Sequence, residues 1–181
     1  MRELKKNLRK QLIAQRRNME LALKAAADMD IFEQLKPFLE NASAVFTYAS
    51  TEIEVDTRRL IEYCLNAGIP VALPRSGDEE LDFFFIKDVN DLCFGRFCID
   101  EPKEGCRPAK SEKTTLCIVP ALCADGKGYR LGYGRGYYDR FLNKFEGTSI
   151  ILCYNEFKRE VPIEPHDVKA DFTIFDRILS R

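Results

Sequence analysis

Leu4, Leu8 and Leu12 recur every fourth residue near the start of the chain, a spacing that lays them along one face of an amphipathic helix over about residues 2 to 18. A second helical run follows from Leu21 to about Leu39, and then the period changes. "SAVFTYAS" (43–50) reads as a short apolar strand, Asp56 or Thr57 as the cap of the helix "TRRLIEYCLNAG", Gly68 as its end, and "IPVALP" as the next strand. This is a βαβ unit. "LDFFFIK" and the run from Phe94 to Ile99 suggest further strands, whereas "TTLCIVPALC" (114–123) is apolar on both faces, as a strand in the middle of a sheet is. "YYDRFLNKF" carries Tyr138, Phe141, Leu142 and Phe145 at helical spacing, and "TSIILCYN" (148–155) is another buried strand. Strand, loop, helix, strand in that order predicts parallel pairing and an α/β sandwich. A chain of 181 residues with no internal repeat or low-complexity linker is expected to form one domain over residues 1–181.

Between the central strand and the last predicted helix lies "RLGYGRGYYD" (130–139), with glycines at 132, 134 and 136. Glycine is costly to immobilise and is kept where the backbone takes positive φ or approaches something closely. In open α/β sheets ligands sit beyond the carboxyl ends of the strands, where this loop falls, and its exit into a helix adds free N–H groups that suit phosphate. The spacing matches neither G-x-x-x-x-G-K-[ST] nor G-x-G-x-x-G, so a flexible turn is the plainer alternative. The neighbours favour a ligand. Lys127, Arg130, Arg135 and Arg140 bracket the glycines, and Tyr129, Tyr133, Tyr137 and Tyr138 add ring faces with polar tips. Asp139 reads either as a first-turn carboxylate on the helix dipole or, beside phosphates, as a ligand of Mg2+.

Composition narrows the classes. A net charge of -1 with abundant charges of both signs gives no global case for nucleic acid or membranes, and no segment approaches the ~20 apolar residues of a membrane span. The basic start of the chain lacks the apolar run of a signal peptide, and the seven scattered cysteines contain no C-x-x-C pair. A cytoplasmic protein with reduced thiols is expected. The only histidine is His166, which argues against zinc and reads as a surface turn residue with no catalytic role.

"VPALCADGKGYRLGYGRGYYDRFL" (119–142) closely resembles the motif of the 5-formyltetrahydrofolate cyclo-ligase, or methenyltetrahydrofolate synthetase, family. "KKNLR" (5–9) is similar to its N-terminal K-x-x-L-R, "EIEVDT" (52–57) to its E-V-D-T segment and "PHD" (165–167) to its C-terminal H-D. The resemblance implies a three-layer α/β sandwich with a mostly parallel sheet, related to sugar-phosphate isomerase and coenzyme A transferase folds. It implies ATP- and Mg2+-dependent closure of 5-formyltetrahydrofolate to 5,10-methenyltetrahydrofolate, with release of ADP and phosphate.

By position, the resemblance assigns Lys5, Arg9, Arg130, Gly132, Gly134, Arg135, Gly136, Tyr137 and Tyr138 to ATP, with Arg130, Tyr137 and Tyr138 at the reacting centre. Ala49, Glu54, Tyr133, Gly134, Arg135, Gly136 and Tyr137 would contact the folate, Glu54 through the donors of the pterin ring. Asp139 and Asp167 would be magnesium ligands. Lys5 and Arg9 are four apart and share a helix face, an arrangement that on its own is also that of a solvated basic face. The chain departs from the family pattern at "YNEFKREVP" (154–162) and around Phe175, both bearing on the folate half of the site. The expected partners are small molecules, with no nucleic acid or membrane, and a monomer is favoured. The alternative functions are a non-catalytic folate or nucleotide binder and a ligase for another formyl or carboxyl compound.

Overall fold

The computed structural model describes residues 1–95 and 99–178. Two helices open the chain, α1 (Arg2–Arg17) and α2 (Leu21–Leu39). The βαβ unit follows as β1 (Ala44–Phe46), α3 (Arg58–Asn66) and β2 (Val71–Ser76), then β3 (Leu81–Ile86). A hairpin, β4 (Leu92–Phe94) and β5 (Asp100–Pro102), stands where one strand from Phe94 to Ile99 is expected; Arg96, Phe97 and Cys98 of that run lie outside the described residues. The chain continues through β6 (Thr115–Pro120), a small hairpin of β7 (Cys123–Ala124) and β8 (Arg130–Leu131), α4 (Tyr137–Leu142), β9 (Thr148–Cys153) and β10 (Phe172–Phe175).

Six strands form the central sheet in the order β10-β9-β6-β1-β2-β3, all parallel except the β2–β3 pair. The crossover from β1 to β2 runs toward one edge and that from β6 to β9 toward the other. Both being right-handed, α3 and α4 cover opposite faces. The sheet therefore has a switch point between the adjacent strands β1 and β6, and a crevice opens there beyond their carboxyl ends.

The core agrees with the apolar runs. All six residues of β6 and the last five of β9 are buried, as strands covered on both faces must be. On the α4 face Phe46 stacks on Phe83 at 4.8 Å between ring centroids, and Phe141 lies 4.7 Å from Phe83. On the α3 face Leu60, Ile61 and Cys64 turn inward. Each such apolar side chain contributes about 1.5 to 3 kcal/mol on burial. The six described cysteines are free, and burial pushes the Cys64 and Cys153 thiols up to about 12, which keeps them protonated and inert.

Three expectations need correction. The strand expected over 43–50 ends at Phe46: the Thr47 amide still donates to the Ala72 carbonyl at 3.0 Å, but the chain from Tyr48 turns to line the crevice. Helix α4 stops at Leu142 instead of running to Phe145. The buried face of α1 is only partly the leucine stripe: Leu12 is buried and Leu8 half-buried against the core, but Leu4 is 57 % exposed and the face is shared with Lys5 and Arg16. The helix crosses the carboxyl ends of the strands, so what it presses inward is in part cationic. At α3 Thr57 takes the cap position without a side-chain cap, its hydroxyl donating back to the Tyr48 carbonyl at 2.5 Å, while Asp56 Oδ1 accepts from the Arg58 amide at 2.8 Å.

Candidate active site

A cavity of about 840 Å³ occupies the crevice at the switch point, within the usual range for sites that hold organic ligands. Its walls are the segment after β1, the α1 face, the loop after β8 with the start of α4, the β4–β5 hairpin, and the turn before β10. All the residues expected at the site line it: Lys5, Arg9, Ala49, Glu54, Arg130, Gly132, Tyr133, Gly134, Arg135, Gly136, Tyr137, Tyr138, Asp139 and Asp167. Lys127 and Tyr129 do not. They sit at the turn of the β7–β8 hairpin, where both backbone amides donate to Asp125 Oδ1, and the turn carries them away from the cavity.

Two of the three loop glycines, Gly134 and Gly136, are explained by arginine; a Cβ at Gly132 would meet open space. The Arg9 Nε donates to the Gly132 carbonyl at 2.8 Å, and its guanidinium lies so flat on the loop that a Cβ at Gly134 would stand 2.9 Å from Arg9 Cζ. Gly134 has φ 98° and Gly136, the residue that starts α4, has φ 68°. Side chains rarely adopt that backbone region. The loop is thus shaped to keep cations at its surface, with Arg140 donating to the Glu79 and Arg135 carbonyls below it.

Two ion pairs cross the same end of the cavity. Arg130 Nη2 lies 3.0 Å from Asp139 Oδ1, which also accepts from the Val168 amide at 3.1 Å. Asp139 thus lies in the first turn of α4 without capping it by a hydrogen bond, its Oδ1 accepting from Arg130 and the Val168 amide instead. Lys5 Nζ sits 2.6 Å from Asp167 Oδ2 and 2.9 Å from Glu164 Oε2. Burial pulls the Lys5 ammonium down, but its two carboxylate partners outweigh that and leave its pKa raised. Burial likewise pushes Asp167 up, while the hydrogen bonds from Lys5 and the Glu164 amide outweigh it and hold the carboxyl low.

The other end is built around Glu54. It is 5 % exposed, and its Oε2 accepts from the Thr51 amide and hydroxyl, both at 2.8 Å. Tyr133, Tyr138 and Tyr48 surround it, their phenols pushed up first by desolvation and then, at Tyr133 and Tyr48, by the Glu54 charge; at Tyr138 Cys117 comes before Glu54. The Tyr138 hydroxyl is buried on the cavity wall with no hydrogen-bond partner among the described residues. Buried polar atoms of this kind call for a partner. His166 is exposed and lines the rim 3.8 Å from Asp167.

A family model described as the 5-formyltetrahydrofolate cyclo-ligase family matches residues 1–175. The chain belongs to the 5-formyltetrahydrofolate cyclo-ligase family. It is 27% identical over 173 residues to the 5-formyltetrahydrofolate cyclo-ligase of Mycolicibacterium smegmatis, covering 91% of this chain and 89% of that one. To the enzyme of that name from Escherichia coli K12 it is 30% identical over 143 residues, 76% of each chain. The solved structure of Aquifex aeolicus 5,10-methenyltetrahydrofolate synthetase superposes with a TM-score of 0.85 at 28% identity, over 96% of this chain and 90% of that one.

The departures from the cyclo-ligase pattern lie behind the cavity, since neither residues 154–162 nor Phe175 line it. Tyr154 and Phe157 instead support the site from the rear, the Tyr154 hydroxyl lying 2.8 Å from the Glu54 carbonyl. Among the described residues no three His, Cys, Asp or Glu side chains gather as a metal cluster. Asp139 and Asp167 still fit Mg2+, which takes one or two carboxylates and completes its shell with phosphate and water; the Asp139 bond to the Val168 amide brings it against the residue that follows Asp167.

Sequence reasoning missed Arg16, Tyr48, Thr51, Glu101 and Glu164. Arg16 was within reach, since it stands seven residues beyond Arg9 on the face that carries Lys5 and Leu12. Glu101 had no signal of its own. It is brought to the wall by the β4–β5 hairpin, where its Oε1 accepts from the Ser76 amide at 3.1 Å.

Proposed function

We propose that this protein closes 5-formyltetrahydrofolate to 5,10-methenyltetrahydrofolate with ATP and Mg2+, through a phosphorylated formyl intermediate, releasing ADP and phosphate. The observation that carries the reading is the two-ended cavity. A glycine loop laid with guanidinium groups meets, across one space, a buried carboxylate ringed by phenols. Family membership supports the folate, and the cationic end supports the nucleotide.

On this reading Lys5, Arg9 and Arg135 bind the phosphates, and Arg130 is oriented toward the transferred group by Asp139. Mg2+, held by Asp139 and Asp167, supplies charge neutralisation at the phosphates. Glu54 accepts the amino and imino N–H donors of the pterin, and Thr51 fixes its Oε2 for that purpose. The formyl oxygen attacks the γ-phosphorus and ADP leaves. The neighbouring N10 amine then adds to the activated formyl carbon, loses its proton, and expels the oxygen as phosphate. Phosphorylation is needed because a bare formyl oxygen is a poor leaving group. Tyr137, whose hydroxyl donates to the Gly77 carbonyl at 2.9 Å, and the unpartnered Tyr138 hydroxyl wall the reacting atoms from water.

The test is direct. Purified protein given 5-formyltetrahydrofolate, ATP and Mg2+ is expected to form the methenyl product, followed by its absorbance, with one ADP per product. Turnover with EDTA in excess, or without ATP, would sink the mechanism.

A further inference from the structure

Arg16 is 2 % exposed, yet among the described residues no carboxylate lies within ion-pair distance of it. A buried cation without an anion is expensive unless hydrogen bonds replace its lost water. Here three of them go to backbone carbonyls, and a longer one runs from Nη2 to Cys153 Sγ at 3.7 Å. Nη1 donates to Ile53 O at 2.9 Å, Nη2 to Ala121 O at 2.8 Å, and Nε to Leu122 O at 3.1 Å. The guanidinium plane is held over the rings of Tyr154 and Phe157, 5.1 and 4.7 Å from their centroids.

The three carbonyls belong to two different parts of the site. Ile53 immediately precedes Glu54. Ala121 and Leu122 follow β6 and form the root of the glycine hairpin, where the Leu122 amide donates to Leu131 O at 2.8 Å. We propose that Arg16 is a positioning residue that sets where the Glu54 carboxylate stands relative to the glycine hairpin, and hence where the folate stands relative to the nucleotide. This rests on the folate reading of Glu54 given above.

The two halves do not depend on Arg16 equally. The hairpin has other anchors: the β7–β8 pairing, Arg9 on Gly132 O, and Arg130 Nη1 on Val168 O at 2.9 Å. The Glu54 turn is tied to the rest of the molecule by Arg16 on Ile53 O, by the Tyr154 hydroxyl, which is shared between Glu54 O at 2.8 Å and Asp28 Oδ1 at 2.6 Å, by the Tyr48 hydroxyl on Val55 O at 3.2 Å and, two residues on, by the Asp56 amide on Asp28 Oδ1 at 3.0 Å; of these only the Arg16 bond also reaches the hairpin root. Lysine cannot reproduce the planar fork, because its ammonium is a point donor. Loss of the fork should therefore move the Glu54 end and leave the phosphate end nearly in place.

The experiment measures dissociation constants for 5-formyltetrahydrofolate and for a non-hydrolysable ATP analogue by calorimetry, in the wild type, Arg16→Lys, Arg16→Gln and Glu54→Gln, with thermal melts of each. Arg16→Gln is expected to weaken the folate about tenfold or more, the scale of a misplaced binding group, with the ATP analogue changed by less than about twofold and Arg16→Lys recovering part of the loss. Equal weakening of both ligands, unchanged folate affinity in a folded variant, or loss of the fold in both Arg16 variants would overturn the assignment. Glu54→Gln separates the premises. If it leaves folate affinity unchanged, the reading of Glu54 fails; if it weakens the folate while the Arg16 variants do not, only the role of Arg16 fails.

Discussion

Lys5 Nζ and Asp167 Oδ2 lie 2.6 Å apart, so the first turn of the chain is fastened to the loop before its last strand. The contact is nearly dry, with side-chain exposures of 6% and 14%. It joins one residue assigned to phosphate with one assigned to the metal. On the proposed function, the same pair that closes the fold would hold the two charges offered to the phosphates and the metal.

That pair makes stability depend on pH in a definite window. The Asp167 pKa lies below its ordinary 3.8, so its contribution is present above that value and is lost as pH falls through the lower folded pKa. The Lys5 pKa lies above 10.5, so its contribution is present below that value and is lost as pH rises through the higher folded pKa. Asp167→Asn should therefore lower the melting temperature by a nearly constant amount at neutral pH, and the difference should disappear in strong acid. A lost charged hydrogen bond of about 1.5 kcal/mol corresponds to about 3 to 6 °C in a chain of this size. Melts of both proteins across the acid range check it; a difference that persists unchanged below the Asp167 transition would contradict the pairing.

Lys5→Ala and Arg9→Ala should each raise KM for ATP more than KM for the folate. Loss of one charge-assisted contact of about 1.5 to 3 kcal/mol corresponds to about 10- to 100-fold. Steady-state kinetics with each substrate varied in turn decides it, and equal effects on both constants would remove α1 from the phosphate end.

Gly134→Ala tests the loop itself. The new methyl would need a backbone φ near 98° and would meet Arg9 Cζ at 2.9 Å. The strain costs about 1 to 3 kcal/mol, and Arg9 must give way. ATP affinity should fall with that of Arg9→Ala, and the double variant should lose little more than either single one. Independent, additive losses measured in that cycle would show that the glycine serves something other than Arg9.

How much of this was legible beforehand follows from which force sets each feature. The strands β6 and β9 and the βαβ unit are driven by burial on both faces, and their apolar runs announced them. The glycine loop was visible because positive φ and close contact both demand one residue type. The full buried face of α1 was not, since periodicity marks Leu8 and Leu12 as turned inward but gives no sign that Lys5 faces the cavity and Arg16 is buried beside them. The β4–β5 hairpin and Glu101 depend on non-local pairing, with Arg75 Nη2 donating to the Pro102 carbonyl at 2.7 Å, and no local pattern reports that. The site residues carried by the resemblance fell on one cavity because the switch point lies between β1 and β6, which the order of predicted elements alone did not fix.

Asp139→Asn should abolish most turnover while the fold persists. The asparagine oxygen can still accept from Arg130 Nη2 and the Val168 amide, so the local hydrogen bonds survive and only the charge is lost. If Asp139 holds Mg2+, metal affinity measured by titration in the presence of the ATP analogue should fall with activity. Wild-type turnover at saturating Mg2+ would leave Asp139 as a support for Arg130 alone.

Glu54→Gln carries the folate assignment. In the wild type both Thr51 donors converge on Oε2, and glutamine can keep an oxygen there, so the turn from Thr51 to Glu54 should hold its shape. What changes is the second position, where a carboxylate oxygen becomes an amide NH2 that confronts the pterin's donors with another donor. Hydrogen bonds to a charged group are worth about 1.5 to 3 kcal/mol, so 5-formyltetrahydrofolate should bind about 10- to 100-fold more weakly at about 1.4 kcal/mol per decade. The ATP analogue should bind as before, because the phosphate contacts lie at the cationic end. Since Glu54 is 5 % exposed, a solvent-facing role is already closed to it. The remaining alternative is a carboxylate that only organises its own turn, and that role predicts a lower melting temperature with folate affinity intact. Calorimetry of both ligands beside a thermal melt distinguishes the two, and unchanged folate affinity would assign the buried end of the cavity to a different substrate.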